Sequence, residues 1–249
     1  MTVAPLPVLV PDAAGAADDL LAALRSRGLP TDHSPFVELR AQRDGDLRAA
    51  LAALAAGEVD RLVVTSPRAA EVLGEGGDLI VPAGTAVAVT DAATDAALAA
   101  AGVPEARVLD REETDPGFAA ALSPTAGERL LLVGSTATPP ALRPALEAAG
   151  ARVTLVLAVR VRTVGLDPQL VRDLRRPAYG ALVLRSTLLA DLAGHLGIHR
   201  DIRVVAADDA VAATAEARGL VVHAVAGSTG AEELATAVLS ALGTRIVHD

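Results

Sequence analysis

Polar residues with chemical potential cluster at turns where apolar runs give way to helical stretches. Thr65-Ser66-Pro67-Arg68 and Arg185-Ser186-Thr187 are two such turns. Each sets a hydroxyl, unpaired backbone amides and an arginine at the positive end of a helix, a combination that receives a carboxylate or phosphate. Helix capping alone also accounts for a serine in that place. Thr94 opens a further helical stretch, and Asp91 and Asp208 end two more apolar runs. Carboxylates so placed are candidates for general acid and base. Gly134-Ser135-Thr136 and Gly227-Ser228-Thr229-Gly230 also precede helical stretches and offer amide nests for an anion.

Several chemistries have no residue to carry them. All 22 basic residues are arginine, which removes Schiff-base lysines and the lysine of a phosphate loop. Cysteine is absent, so thiol nucleophiles, disulfides, iron–sulfur clusters and thiolate zinc sites are excluded. No G-x-G-x-x-G follows a strand, and no G-x-S-x-G elbow occurs. His195 and His199, with Asp191 one turn earlier, form a possible metal-binding edge, but no third ligand motif accompanies them and a solvated helix end is the simpler reading. His33, His223 and His248 read as surface residues. The expectation is that neither cofactor nor metal is used. A net charge of −9 with one tyrosine, two phenylalanines and no tryptophan argues against nucleic acid. Without a long apolar segment or a signal-like start, the chain is expected to be cytoplasmic and to avoid membranes.

The elements that must position these groups follow a βα rhythm. Residues 8–10, 62–65, 86–89, 130–134, 181–185 and 202–206 read as buried strands, because they are aliphatic without polar alternation. Helical stretches are predicted over 13–27, 46–56, 94–101, 140–149, 187–196, 209–218 and 231–242, with Gly28, Gly102, Gly150 and Gly219 as left-handed caps. The two halves repeat: Gly28 matches Gly150 at an offset of 122, Ser66 matches Ser186 at 120, and Asp91 matches Asp208 at 117. Two homologous doubly wound α/β units follow, with one continuous sheet as the alternative. Residues 34–42 and 155–163 are the boundary candidates.

Val63-Val64-Thr65-Ser66-Pro67, Val183-Leu184-Arg185-Ser186 and the opening strand and helix closing at Arg27-Gly28 resemble the uroporphyrinogen-III synthase family end to end. Further parts of the likeness are Pro35-Phe36-Val37-Glu38, Leu131-Leu132-Val133-Gly134, Leu142 to Gly150 and Val153-Thr154. The resemblance implies an α/β protein of two flavodoxin-like, doubly wound parallel-sheet lobes. One lobe would comprise residues 1–36 plus 164–249 and the other 41–156, joined by linker strands 37–40 and 157–163 with an interlobe cleft. It also implies cofactor-free closure of hydroxymethylbilane, a small-molecule substrate held in that cleft, by a protein expected to be monomeric. Carried over, Ser66, Thr94 and Ser186 take the place of family cleft residues, and Arg203 that of a basic residue seen in some members. With Arg68 and Arg185, these are the expected substrate-binding residues. The sequence departs from the family pattern at Asp12, where arginine is usual, at Asp91 and Asp208, where glycine is usual, and at Val211, where threonine would follow. The expected tyrosine near the second crossover is missing, and Tyr179 lies too far along to replace it.

Three functions therefore stand side by side: the synthase itself, a relative recruited to another cyclisation, dehydration or rearrangement with Asp91 and Asp208 as acid and base, and a non-catalytic module closing on a ligand.

Overall fold

The computed structural model describes residues 5–77, 79–103, 106–109, 117–228 and 230–243. In chain order the elements are β1 (Val8–Val10), α1 (Asp18–Ser26), β2 (Thr31–His33), β3 (Val37–Ala41), α2 (Gly45–Ala55), β4 (Arg61–Val64), α3 (Pro67–Gly74), β5 (Ala86–Val89), α4 (Ala92–Ala100), β6 (Arg107–Val108) and α5 (Phe118–Leu122). There follow β7 (Arg129–Ser135), α6 (Leu142–Ala148), β8 (Arg152–Thr163), α7 (Pro168–Leu174), β9 (Ala181–Leu184), α8 (Thr187–Gly194), β10 (Arg203–Ala206), α9 (Asp209–Ala217), β11 (Val222–Val225) and α10 (Ala231–Ala241). Among the described residues, no helix is long and apolar enough to cross a membrane.

The alternative of one continuous sheet is corrected by the strand order, because two separate sheets form. Unit 1, residues 1–38 and 162–249, holds the order β11-β10-β9-β1-β2, which counted within the unit is the flavodoxin-like 2-1-3-4-5. Unit 2, residues 39–161, holds β3-β8-β7-β4-β5-β6. Among the described residues β1, β2, β9, β10 and β11 pair in parallel, as do β4, β5, β6, β7 and β8. β3 is the exception: Gln42 N–H donates to Ala158 O and Val164 N–H to Phe36 O, so partners recede along β8 as β3 advances.

The tandem repeat explains the discontinuous first unit. β9, α8, β10 and α9 match β4, α3, β5 and α4 at offsets of 120 and 117, while β7 and α6 match β1 and α1 at about 122. Stripped of β3, the second sheet therefore repeats the first strand for strand. Each unit combines the opening part of one repeat with the closing part of the other. The continuous β8 corresponds to β2 plus β3, which are interrupted at Ser34-Pro35; proline has no N–H for a ladder and fixes its φ.

Burial on both faces explains why the strands read as unbroken apolar runs. Val8, Val10, Val183 and Val205 pack against α1 and α10. In unit 2, Leu62, Val64, Leu131 and Val133 face the side of α2, α3 and α4, while Val63, Leu130 and Leu132 face α5 and α6. The repeat extends to helix contacts. A Cβ on Gly74 would stand 2.6 Å from Cβ of Ala101, and one on Gly194 would stand 2.3 Å from Cβ of Arg218. These matched glycines let paired helices approach closely, which outweighs the roughly 1 kcal/mol helix penalty of glycine.

Candidate functional site

In a doubly wound sheet, ligands are received beyond the carboxyl ends of the strands, where the winding direction changes. That point lies between β1 and β9 in unit 1 and between β4 and β7 in unit 2. The sequence brings Asp12, Arg185 and Ser186 to the first, and Thr65, Ser66 and Ser135 to the second. One strand further out, Asp208 follows β10 and Asp91 follows β5.

Four of these side chains begin helices. Ser66 Oγ accepts the Ala69 N–H at 3.2 Å and Ser186 Oγ that of Leu189 at 3.3 Å. Asp91 Oδ1 accepts Thr94 N–H at 2.7 Å and Thr94 Oγ1–H at 3.0 Å, while its Oδ2 accepts Thr90 Oγ1–H at 2.9 Å. Asp208 Oδ1 accepts Val211 N–H at 2.8 Å. The hydroxyl of Thr94 is thus spent beneath Asp91, and Thr94 is fully buried.

The arginines divide differently. Arg185 Nη1 donates to Ala16 O at 2.8 Å and lies 3.4 Å from Asp19 Oδ1, holding the loop between β1 and α1. Arg68 turns along its own helix to Glu71 at 2.8 Å and Glu75 at 2.6 Å. Arg203 starts β10, at the end of the strand opposite Asp208, beside His223. The structure thus brings Arg185 and Ser186 together at one turn, keeps Ser66 beside Arg68 at another, and leaves Arg203 at the far edge of its sheet. Of the glycine-flanked turns, Thr229 and the C-terminal His248 lie outside the described residues. His195 Nδ1–H donates to Asp191 O at 2.7 Å and Asp191 receives Arg218, so this edge is already internally bonded.

Asp12 is the residue whose environment the sequence does not show. It is 8% exposed, and Oδ2 is buried without a hydrogen-bond partner among the described residues. Burial pushes its carboxyl up to about 6, partly opposed by the positive charges of Arg185 and His33. His33 Nε2–H donates to Asp12 O at 2.9 Å, and the amides of Ser34 and Phe36 bond to Val10 O and Pro11 O, so the loop is fixed from the β2 side too. Between about pH 4 and 6 the folded chain holds a proton that the unfolded chain has released, so stability falls as pH rises through this window. Asp12→Asn is expected to stabilise the protein by about 1–3 kcal/mol above pH 6 and by nothing near pH 4. Thermal melts of both proteins across that range check this, and an equal gain at both ends would contradict it.

Each unit carries a concavity among its described residues. In unit 1 a cavity of about 290 Å³ beside the end of β2 is lined by Asp32, Ser34, Asp167, Gln169, Asp173 and Tyr179. Tyr179 Oη–H donates to Asp32 Oδ2 at 2.7 Å, and burial raises the phenol. In unit 2 about 500 Å³ opens at the amino ends of β7 and β8, where Arg129 is paired with Asp60 and Arg143 with Glu147. That is the opposite edge from the winding change. Among the described residues, no three His, Asp or Glu side chains form a group that holds a metal ion. The sequence reading passed over Thr90, whose signal is the Thr90-Asp91 pair that repeats the pattern of Thr65-Ser66 at a strand end.

A family model described as uroporphyrinogen-III synthase HemD matches residues 18–236. No curated protein matches the chain. A solved uroporphyrinogen-III synthase of Helicobacter pylori aligns with a TM-score of 0.64 at 11% identity over 94% of this chain and 99% of that one. A mutant uroporphyrinogen III synthase of Thermus thermophilus aligns with a TM-score of 0.62 at 19% identity over 96% of this chain and 100% of that one. At such identities the likeness is one of fold.

Proposed function

The chain belongs to the uroporphyrinogen-III synthase family, and from that membership we propose that it closes hydroxymethylbilane to uroporphyrinogen III, inverting the last pyrrole ring and releasing water. The family match, running through both repeats rather than one, is the observation that carries this reading. Family and fold support synthase-type activity of an enzyme on a small molecule.

The chemistry asks little of a protein beyond shape and charge. When the terminal hydroxyl is protonated and leaves as water, an electrophilic azafulvenium is left. The already substituted α-carbon of the last pyrrole attacks it, and the bond from that carbon to its original methylene breaks to give a second azafulvenium. The free α-carbon of the same ring captures that methylene with loss of a proton, which closes the inverted macrocycle. Holding a flexible polycarboxylate in a reactive conformation supplies much of the rate. Ser66, Arg185 and Ser186, with the amides that begin α3 and α8, are the groups assigned to the carboxylates. Arg68, with its charge shared between two glutamates, contributes positive potential beside Ser66. Thr94 acts through Asp91, and Arg203 is placed too far along β10 to join Ser186.

Asp91 and Asp208 are assigned a positioning part, since each fixes the first turn of its helix. Asparagine caps as well as aspartate, so Asp91→Asn and Asp208→Asn are expected to retain turnover within about threefold. A loss on the order of 10³-fold, the scale of a missing acid or base, would instead give these carboxylates a part in proton transfer. The activity itself is tested by the disappearance of hydroxymethylbilane: catalysed loss above the spontaneous rate is expected, and a rate equal to the spontaneous one overturns the proposal.

A further inference from the structure

The strand tips of the two units differ in one respect that the repeat does not predict. The turn of unit 2 is uncharged at Thr65, Ser66 and Ser135, whereas that of unit 1 places Asp12 beside Arg185. We propose that Asp12 is the charge-selecting residue of the unit 1 turn: while its carboxylate is ionised the turn resists a ligand carboxylate at Arg185, and such a carboxylate binds together with a proton taken up by Asp12. This rests on the assignment of Arg185 and Ser186 to substrate carboxylates.

The argument is one of local charge. Asp12 is buried, with one oxygen lacking any partner among the described residues. The groups that face it are Arg185 from the β9–α8 turn, His33 from β2 and Asp19 from the first turn of α1. Arg185 is shared with Ala16 O and Asp19. With Asp12 and Asp19 ionised, two carboxylates already lie near Arg185, and an incoming carboxylate adds a third. Protonating Asp12 removes one of them without moving any atom by more than a hydrogen. Burial already brings that protonation close to neutrality, to about 6, so a nearby anion needs only a modest further shift. A like charge brought close in a poorly solvated place favours the neutral carboxyl further, so ligand and proton favour each other's binding. The His33 ring also contacts this segment, its Nε2–H donating to Asp12 O at 2.9 Å, so a His33 variant serves as the control.

The probe is uroporphyrin, the oxidised macrocycle with eight carboxylates, followed by porphyrin fluorescence and by calorimetry in two buffers of different ionisation enthalpy. For the intact protein, uptake approaching one proton per ligand is expected near pH 7. Affinity should fall by up to about tenfold per pH unit above pH 6. Asp12→Asn should bind without proton uptake and several-fold more tightly at about pH 8, whereas His33→Gln should keep the uptake. Binding of the intact protein without proton uptake overturns the proposal, as does uptake that survives in Asp12→Asn and is lost in His33→Gln. Proton-coupled binding without turnover of hydroxymethylbilane would sink the synthase reading and leave this one standing; turnover with proton-free binding does the reverse. Absence of uroporphyrin binding at every pH removes both the carboxylate assignment and the proposal.

Discussion

Replacing Arg185 by alanine is expected to raise KM for hydroxymethylbilane by about 30- to 100-fold while kcat changes by less than about fivefold. A charge-assisted hydrogen bond in a shielded place contributes roughly 2–3 kcal/mol, which is that range of affinity. The loss here is twofold. The guanidinium is removed from the carboxylate-receiving turn, and the loop between β1 and α1 loses the donor that holds Ala16 O. Asp12 then loses the Arg185 charge that opposes its burial, and the local balance becomes more negative. Lysine should restore only part of the affinity, because an ammonium does not reproduce the planar fork that meets a backbone carbonyl and a carboxylate in different directions. An unchanged KM in Arg185→Ala would remove this turn from the binding surface.

Glu128→Ala is expected to act on stability alone, lowering the melting temperature by roughly 10 °C. Glu128 is nearly buried, with its Oε1 2.7 Å from Arg61 Nε and its Oε2 accepting Thr125 N–H at 2.7 Å. The Arg61 contact lacks hydrogen-bond alignment, so the attraction is Coulombic, while Arg61 Nη1 donates to Leu122 O at 2.6 Å. Removing the carboxylate leaves a desolvated guanidinium uncompensated, at a cost of about 3–5 kcal/mol. Replacing both partners with apolar residues should recover most of that loss, since the pair as a whole contributes little beyond its own desolvation. The pair sits where β4 begins, at the amino edge of the sheet, so KM at low temperature should be unchanged. Melting and kinetics of the single and double variants check both statements; a double variant as unstable as the single one would contradict the account of the pair.

The strands buried on both faces were legible from composition, and β1 and β5 have the predicted bounds. Gly28, Gly102, Gly150 and Gly219 all take positive φ, as helix-ending glycines do. Where the reading departs from the structure, a local cause is visible. The first helix starts at Asp18 rather than at residue 13, because Gly15 turns to φ +82° and breaks the stretch. β2 is a polar edge strand, Thr31-Asp32-His33, with neither an apolar run nor clear alternation to reveal it. α7 carries Arg172 and Asp173 on a short segment opened by Asp167 and Pro168, so its helical period is obscured.

The candidate site was legible in its backbone and hidden in its environment. Serine and aspartate after an apolar run announce a cap, and Ser66, Ser186, Asp91 and Asp208 all cap helices. Sequence spacing does not say that Thr94 is consumed beneath Asp91, nor that Arg68 finds two glutamates one and two turns along its helix. Nor does it place Asp12 beside Arg185, because that meeting depends on β1 and β9 pairing from opposite ends of the chain. The offset near 120 is visible in the sequence; which repeat supplies each strand to a unit is decided only when β3 and β8 pair.

Resolution of porphyrin isomers formed from hydroxymethylbilane, after oxidation of the product, tests the central claim most directly. The account predicts type III as the dominant isomer at a rate above the spontaneous reaction. Type I alone would contradict it.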